Sequence, residues 1–132
     1  MLRTGLTIAA AAVAALTLTT AFSTPQESSS SVIEIQLKNY EFTPSSLHLQ
    51  HGVPVVLRLV ETAGSHSFSA PELFAASTLD SATAEMVHNG TVQVGEGGVE
   101  LRFTPNTPGT YAFHCTHFMH SAFGMKGTAV VE

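Results

Sequence analysis

Apolar and polar residues alternate with a period of two through much of this chain after residue 31. In the first such stretch, Ile33, Ile35 and Leu37 are separated by polar residues. Because successive side chains of a strand point to opposite faces, this pattern predicts a half-buried strand over 31–38. The valine- and leucine-rich run 55–60 predicts a second strand that is buried over most of its length. Similar patterns predict strands at 47–49, 91–94, 99–103, 110–115 and 127–131.

Glycine, proline and asparagine separate the predicted strands, at 95–98, 105–106 and 108–109. Residues 71–86 differ, since Pro71 suits a helix start and apolar residues follow it without alternation, which predicts a short helix or an irregular excursion. Short strands with regular turns favour an all-β fold, an antiparallel sandwich of Greek-key type, over a parallel α/β sheet. There is no internal repeat and no sign of a second domain.

The first 23 residues have the pattern of a secretory signal peptide. Arg3 is followed by an apolar run at 6–18 and then by small residues. An uncleaved anchor helix is the alternative, but a run of about 13 residues is short of the roughly 20 that a span requires. Residues 24–31 are polar and predict a flexible lead-in, so the folded domain is expected at 32–132. We therefore expect a periplasmic domain without stable membrane insertion after cleavage.

Charge narrows the range of partners. Without residues 1–23 the chain has four cations and ten acids, a net charge of −6. Nucleic acids and anionic lipid surfaces both attract proteins with a cationic face, so neither is expected to bind. An acidic surface favours solubility and, at most, attraction to a basic partner, and we expect a monomer.

The chemistry of this chain is concentrated in HCTHFMHSAFGM, residues 114–125. It holds the only cysteine, Cys115, with three of the seven histidines and two of the four methionines. Exported domains usually pair their cysteines, so a lone one is a buried thiol, a reactive thiol, an intermolecular bridge or a metal ligand. Alternation over 110–115 places Cys115 on the same face as Tyr111 and Phe113, at the inner end of a strand.

The donor types around Cys115 favour copper. A thiolate, imidazoles and a thioether are soft to borderline ligands that suit copper, whereas zinc sites rarely use methionine and calcium or magnesium sites need clustered oxygens. A trigonal site of one cysteine and two histidines with a weak axial methionine suits electron transfer. Such a site requires a second histidine from elsewhere, and His66 is the leading candidate, in a loop after the buried strand 55–60. His48, His51 and His88 are expected to be solvated surface residues.

Residues 32–132 resemble a cupredoxin, the type 1 (blue) copper fold. The stretch EIQLKNYEFTPSSLHLQHGVPVVLRL is similar to the first strands of the family, and YAFHCTHFMHSAFGMKGTAVV to its ligand loop and last strand. The Cys-x4-His-x4-Met spacing and the GMKG sequence resemble the loop of the auracyanin and rusticyanin type. The resemblance implies that His66, Cys115, His120 and Met125 bind one copper ion.

Three features depart from that pattern, namely Ser67, the two surplus histidines of the loop and Met119. Ser67 follows His66 where asparagine is common in the family, so a tuned reduction potential is expected because hydrogen bonds around the ligands affect it. His114 is excluded as a ligand by strand alternation. His117 is either a loop histidine beside the site or a replacement, additional or second-site ligand. Met119 offers a spare thioether or contributes to an apolar surface.

The leading functional hypothesis is an electron carrier without enzymatic activity. The resemblance implies that a redox partner docks at an apolar patch near Phe118, His120 and Phe123. The spare histidines and Met119 motivate an alternative, a periplasmic copper-handling protein such as a buffer, chaperone or resistance factor. Copper oxidases need further copper centres, and the sequence offers no second cluster of ligands.

Overall fold

A computed structural model describes residues 20, 21, 23 and 29–132 of the chain. The predicted signal peptide therefore lies outside the described residues apart from 20, 21 and 23, and the predicted lead-in apart from 29–31. In the described part, no helix is both long and apolar enough to cross a membrane. Regular structure begins at Ser31, one residue before the predicted start of the domain.

Ten strands and two short helices make up the domain. The strands are β1 (Ser31–Lys38), β2 (Glu41–Thr43), β3 (Ser46–Leu49), β4 (Val55–Glu61), β5 (His66–Ser69), β6 (Ser77–Leu79), β7 (Thr91–Val94), β8 (Val99–Pro105), β9 (Gly109–His114) and β10 (Lys126–Val131). The helices are α1 (Pro71–Ala75) and α2 (Ser81–Met86).

The strands form two five-stranded sheets, which confirms the predicted β-sandwich. One sheet has the order β2-β1-β4-β8-β6 and the other β3-β10-β9-β5-β7. The sheets are mixed rather than antiparallel throughout, because β1 pairs with β4, and β3 with β10, in parallel. Neither pair is joined by a hairpin, since the chain passes through the other sheet between the two strands, so local sequence patterns could not reveal the direction of pairing.

Side chains from both sheets meet in one core. Phe42 of β2 contacts Phe68 of β5 and Phe113 of β9 edge to face, with ring centroids 6.0 and 5.2 Å apart. Alternation in β1 works as predicted, since Ile35 and Leu37 are fully buried. The core therefore fixes β5 and β9 against the opposite sheet. This positions His66 at the start of β5 and Cys115 directly after β9.

Two local predictions were incomplete. Residues 71–86 contain two helices with β6 between them, and β6 pairs with β8 at the edge of its sheet. His66 was expected in a loop but opens β5, a strand that the sequence did not predict. All four residues of β5 are buried, so both of its faces are covered and the alternation that would mark a strand is missing.

Candidate metal centre

Cys115 is held at the end of a rigid strand pair. It directly follows β9, which pairs antiparallel with β10 so that His114 faces Lys126 and Phe113 faces Gly127. The Cys115 side chain is completely buried. The pairing of β9 with β10 fixes the backbone next to Cys115, and this gives the sulfur a defined position.

The chain between Cys115 and β10 forms a compact loop, residues 116–125, that turns back toward the sulfur. The backbone N–H of Cys115 donates to the carbonyl oxygen of Met125 at 3.1 Å. The N–H of Met125 donates to the carbonyl oxygen of His120 at 3.0 Å. Met119 has a positive φ of 66°, and Gly124 one of 101°, a left-handed conformation that glycine adopts without strain. These turns bring His120 and Met125 next to Cys115.

His66 enters the site from the other side, as the first residue of β5. Its side chain is fully buried, and its Nε2 lies 2.6 Å from the carbonyl oxygen of Ala63. A carbonyl only accepts hydrogen bonds, so Nε2 carries the proton and Nδ1 keeps a free lone pair. Nδ1 is buried and has no hydrogen-bond partner among the described residues. A buried nitrogen without a partner is costly and requires an explanation, which a metal ion would provide.

The ligand atoms of His66, Cys115 and His120 converge. They all lie within 4.8 Å of one another, and Cys115 Sγ lies 3.5 Å from His120 Nδ1. The pKa of His120 is lowered from its ordinary value because burial disfavours the cation and because His66 and His117 lie close to it. His120 is therefore neutral at neutral pH, with a lone pair available for a metal.

Met125 completes the predicted set of four. Its side chain is fully buried within the core, and its backbone is hydrogen bonded to both Cys115 and His120. Two imidazoles and one thiol with ligand atoms within 4.8 Å of one another, next to a buried methionine, are arranged as a type 1 copper site. The residues present therefore fit copper. The buried Nδ1 of His66, which has no hydrogen-bond partner in the described part of the chain, supports this independently of the sequence pattern.

Ser67 and Thr116 form a layer of hydrogen bonds around the sulfur. The N–H of Ser67 lies 3.5 Å from Cys115 Sγ, and its hydroxyl lies 3.8 Å from the same atom. The Ser67 hydroxyl in turn accepts from the N–H of Thr116 at 2.8 Å and lies 2.7 Å from its hydroxyl. The sequence indicated the role of Ser67, but nothing in the pattern indicated Thr116.

The remaining histidines lie in different places. His48, His51 and His88 are exposed, in agreement with the prediction that they are surface residues. His114 is half-buried on β9 and is not part of the converging group found among the described residues. His117 also lies outside that group, although its ring centroid is 5.5 Å from that of His120.

His117 has a partner that the sequence did not indicate. Its Nε2 lies 3.2 Å from Oε1 of Gln93 on β7, and its ring stacks at 6.5 Å on that of His66. His117 thus packs beside His66 and His120, and Gln93 of β7 holds its side chain.

An apolar surface, composed of Tyr40, Phe118, Met119 and Phe123, lies beside His120. Phe118 is 90 % exposed and Phe123 is 61 % exposed. Tyr40 contacts His120 edge to face, with centroids 5.1 Å apart, and contacts Phe123 at 5.0 Å. Alternation could not indicate Tyr40, because it lies in the turn between β1 and β2 and far from the loop in sequence.

Comparison with known proteins agrees with the fold. A family model for the cupredoxin-like domain matches residues 8–131, beginning inside the predicted signal peptide. The chain therefore belongs to the cupredoxin-like family. No curated protein matches its sequence significantly.

Solved structures share this architecture. Auracyanin B is 24 % identical, with a TM-score of 0.55, over 77 % of this chain and 88 % of that one. Dithionite-reduced auracyanin from Roseiflexus castenholzii is 25 % identical, with a TM-score of 0.54, over 77 % and 97 %. A mutant fern plastocyanin is 23 % identical, with a TM-score of 0.51, over 76 % and 100 %. These likenesses support the cupredoxin fold.

Proposed function

We propose that this protein is a periplasmic electron carrier in which His66, Cys115, His120 and Met125 bind one copper ion. The observation that carries the proposal is the buried Nδ1 of His66, which has no hydrogen-bond partner among the described residues and belongs to an imidazole that clusters with Cys115 and His120. The N–H of the same imidazole is fixed by the Ala63 carbonyl, so the ring is already oriented for a metal.

The protein's contribution is to hold the ligands still. Copper supplies the one-electron redox couple when bound. Cys115, His66 and Met125 are fully buried, which keeps water away, and each is attached to a strand or to a backbone hydrogen bond of the loop. A site that moves little between oxidation states exchanges electrons rapidly, and no substrate needs to reach the metal.

His120 provides the route to a partner. It is the half-buried member of the four residues and lies next to the apolar surface. We propose that a redox protein docks on this surface near Phe118, His120 and Phe123, in the small and transient contact typical of electron transfer. The resemblance of residues 1–23 to a signal peptide supports export to the periplasm.

The ligand assignment is tested by the visible spectrum of the copper(II) form. Intense thiolate-to-copper absorption is expected for the unaltered protein. His120→Ala should abolish the band. His117→Ala is the matched control, because it removes another histidine of the same loop, and it should retain the band. If His117→Ala abolishes the band and His120→Ala leaves it, the assignment of His120 is wrong.

Copper handling is a second candidate function, favoured by the position of His117 next to both His66 and His120. A spare imidazole at this distance would let copper pass between ligands. The two functions differ when a chelator is added. A carrier retains its copper and shows a reversible redox couple, whereas a handling protein releases copper readily and shows no such couple.

A further inference from the structure

The turn between β1 and β2, residues Asn39 and Tyr40, touches the surroundings of both histidines of the site. On one side, the Tyr40 ring meets the His120 ring edge to face, with centroids 5.1 Å apart and planes at 82°. This arrangement is a favourable geometry for two aromatic rings. The contact joins the ligand loop of one sheet to a turn of the other sheet.

On the other side, Asn39 lies against the loop that leads into His66. A Cβ added at Gly64 would lie 2.6 Å from Asn39 Oδ1 and 3.1 Å from His66 Nε2. Gly64 also has a φ of +91°, so a glycine is required here both for the conformation and for the close approach of Asn39. The turn therefore packs closely beside the second imidazole as well.

Hydrogen bonds keep the turn and the His66 loop together. The N–H and the hydroxyl of Thr62 each donate to the carbonyl oxygen of Leu37 at 3.0 Å. Leu37 lies two residues before Asn39 and pairs with Glu61 in the parallel β1–β4 ladder. These hydrogen bonds hold the end of β1 against the beginning of the loop that leads into His66.

His120 depends on ring packing for its orientation. Its Nδ1 lies 3.5 Å from Cys115 Sγ, and the ring nitrogens make no other hydrogen-bond contact within the described part of the chain. Its ring is surrounded by those of His66, His117 and Tyr40, with centroids at 5.2, 5.5 and 5.1 Å. Tyr40 is the neighbour that is not a histidine and that is anchored in the opposite sheet.

We propose that Tyr40 is a positioning residue for His120. The Tyr40 ring keeps Nδ1 of His120 turned toward Cys115, both before copper binds and while the bound copper changes oxidation state. This inference rests on the proposed copper function. No hydrogen bond of the Tyr40 hydroxyl occurs among the described residues, so the ring performs this role. Tyr40→Phe should therefore preserve it, and Tyr40→Ala should remove it.

The first test uses metal-free protein, in which the orientation of the His120 ring is followed by NMR. Nuclear Overhauser effects between the His120 ring and the Cys115 β-protons should be present in the unaltered protein and in Tyr40→Phe, and should be lost in Tyr40→Ala. If Tyr40→Ala retains them at full strength, the proposal is wrong. Because no metal is involved, this result is independent of the copper assignment.

The second test measures copper retention by competition with a chelator. Tyr40→Ala should weaken binding about fivefold, as expected for the loss of one aromatic pair, and should change the visible spectrum. Tyr40→Phe should match the unaltered protein. Phe118→Ala, which removes a 90 % exposed ring of the same surface, is the control for copper retention. Equal losses in Tyr40→Ala and Phe118→Ala would overturn the proposal, whereas absence of a copper band in the unaltered protein would overturn the proposed function instead.

Discussion

At the scale of single residues, the surroundings of Cys115 Sγ are set by Ser67. Its backbone N–H and its hydroxyl both lie within 4 Å of the sulfur, and Thr116 holds the hydroxyl in place. Hydrogen bonds to a thiolate stabilise negative charge on sulfur and reduce its donation to the metal. They therefore favour the reduced state, which has one positive charge fewer at the metal.

Replacing Ser67 by alanine should consequently lower the reduction potential. A lost hydrogen bond of about 1 kcal/mol corresponds to roughly 40 mV for one electron. Ser69→Ala is the control, because Ser69 is a buried serine of the same strand whose hydroxyl accepts from Thr91. Protein-film voltammetry of the two variants measures the effect. A potential that rises in Ser67→Ala, or falls equally in Ser69→Ala, would contradict this account of the sulfur.

At the scale of elements, β10 determines where the ligand loop ends. Gly127 lies two residues after Met125 and opposite Phe113 in the β9–β10 ladder. A Cβ at this position would overlap the carbonyl oxygen of Ser45 and the ring of Phe113. The absence of a side chain lets the chain before β3 and the core phenylalanine close around the strand that follows Met125.

Gly127→Ala should destabilise the metal-free protein by about 1–3 kcal/mol, since the added methyl forces buried neighbours apart. Gly95→Ala is a matched control, because a Cβ at Gly95 has no atom within 4 Å and its φ is not positive. Urea unfolding gives both free energies. An equal change in the two variants would show that the close packing around Gly127 is not what matters.

At the scale of the whole molecule, the site joins segments that are distant in sequence. His66 lies on β5, whereas Cys115, His120 and Met125 come from the end of β9 and the loop before β10. The core behind them contains apolar residues of both sheets and includes only two of the four proposed ligands, Cys115 and Met125, so most of its buried contacts do not involve the site. Copper is therefore expected to stabilise an already folded domain rather than to cause its folding.

Copper at a free concentration one hundred times its dissociation constant should stabilise the protein by about 2.7 kcal/mol. For a domain of this size, the midpoint of thermal unfolding should rise by roughly 10–20 °C. His66→Ala should remove most of this rise, because the site loses the ligand from β5. Differential scanning calorimetry with and without copper measures the shift in each protein. A full shift in His66→Ala would place the metal elsewhere.

Sequence and structure contribute different parts of this picture. The alternation in β1, β3 and β9 was sufficient to predict those strands and the buried position of Cys115, because one face of each strand is apolar. β5 was missed because both of its faces are buried. β6 was missed because three residues at a sheet edge have too little pattern to be recognised.

The candidate site divides in the same way. Local spacing and the family resemblance predicted His66, Cys115, His120 and Met125 as ligands, and the first three of these side chains converge in the structure. The contacts of Tyr40 with His120 and of Gln93 with His117 connect residues far apart in the chain. Periodicity describes only near neighbours, so such contacts could not be derived from it.

The sequence by itself therefore determined the all-β class, the core faces of most strands and the donor set that favours copper. Each of these depends on residue type and on short-range spacing, which the chain carries directly. The tertiary structure alone decided three features: the parallel pairing of β1 with β4, the burial of His66 Nδ1 without a hydrogen-bond partner among the residues that the structure describes, and the packing of Tyr40 on His120. These features arise where separate elements meet, and their distances are set by the packing of two sheets around one core.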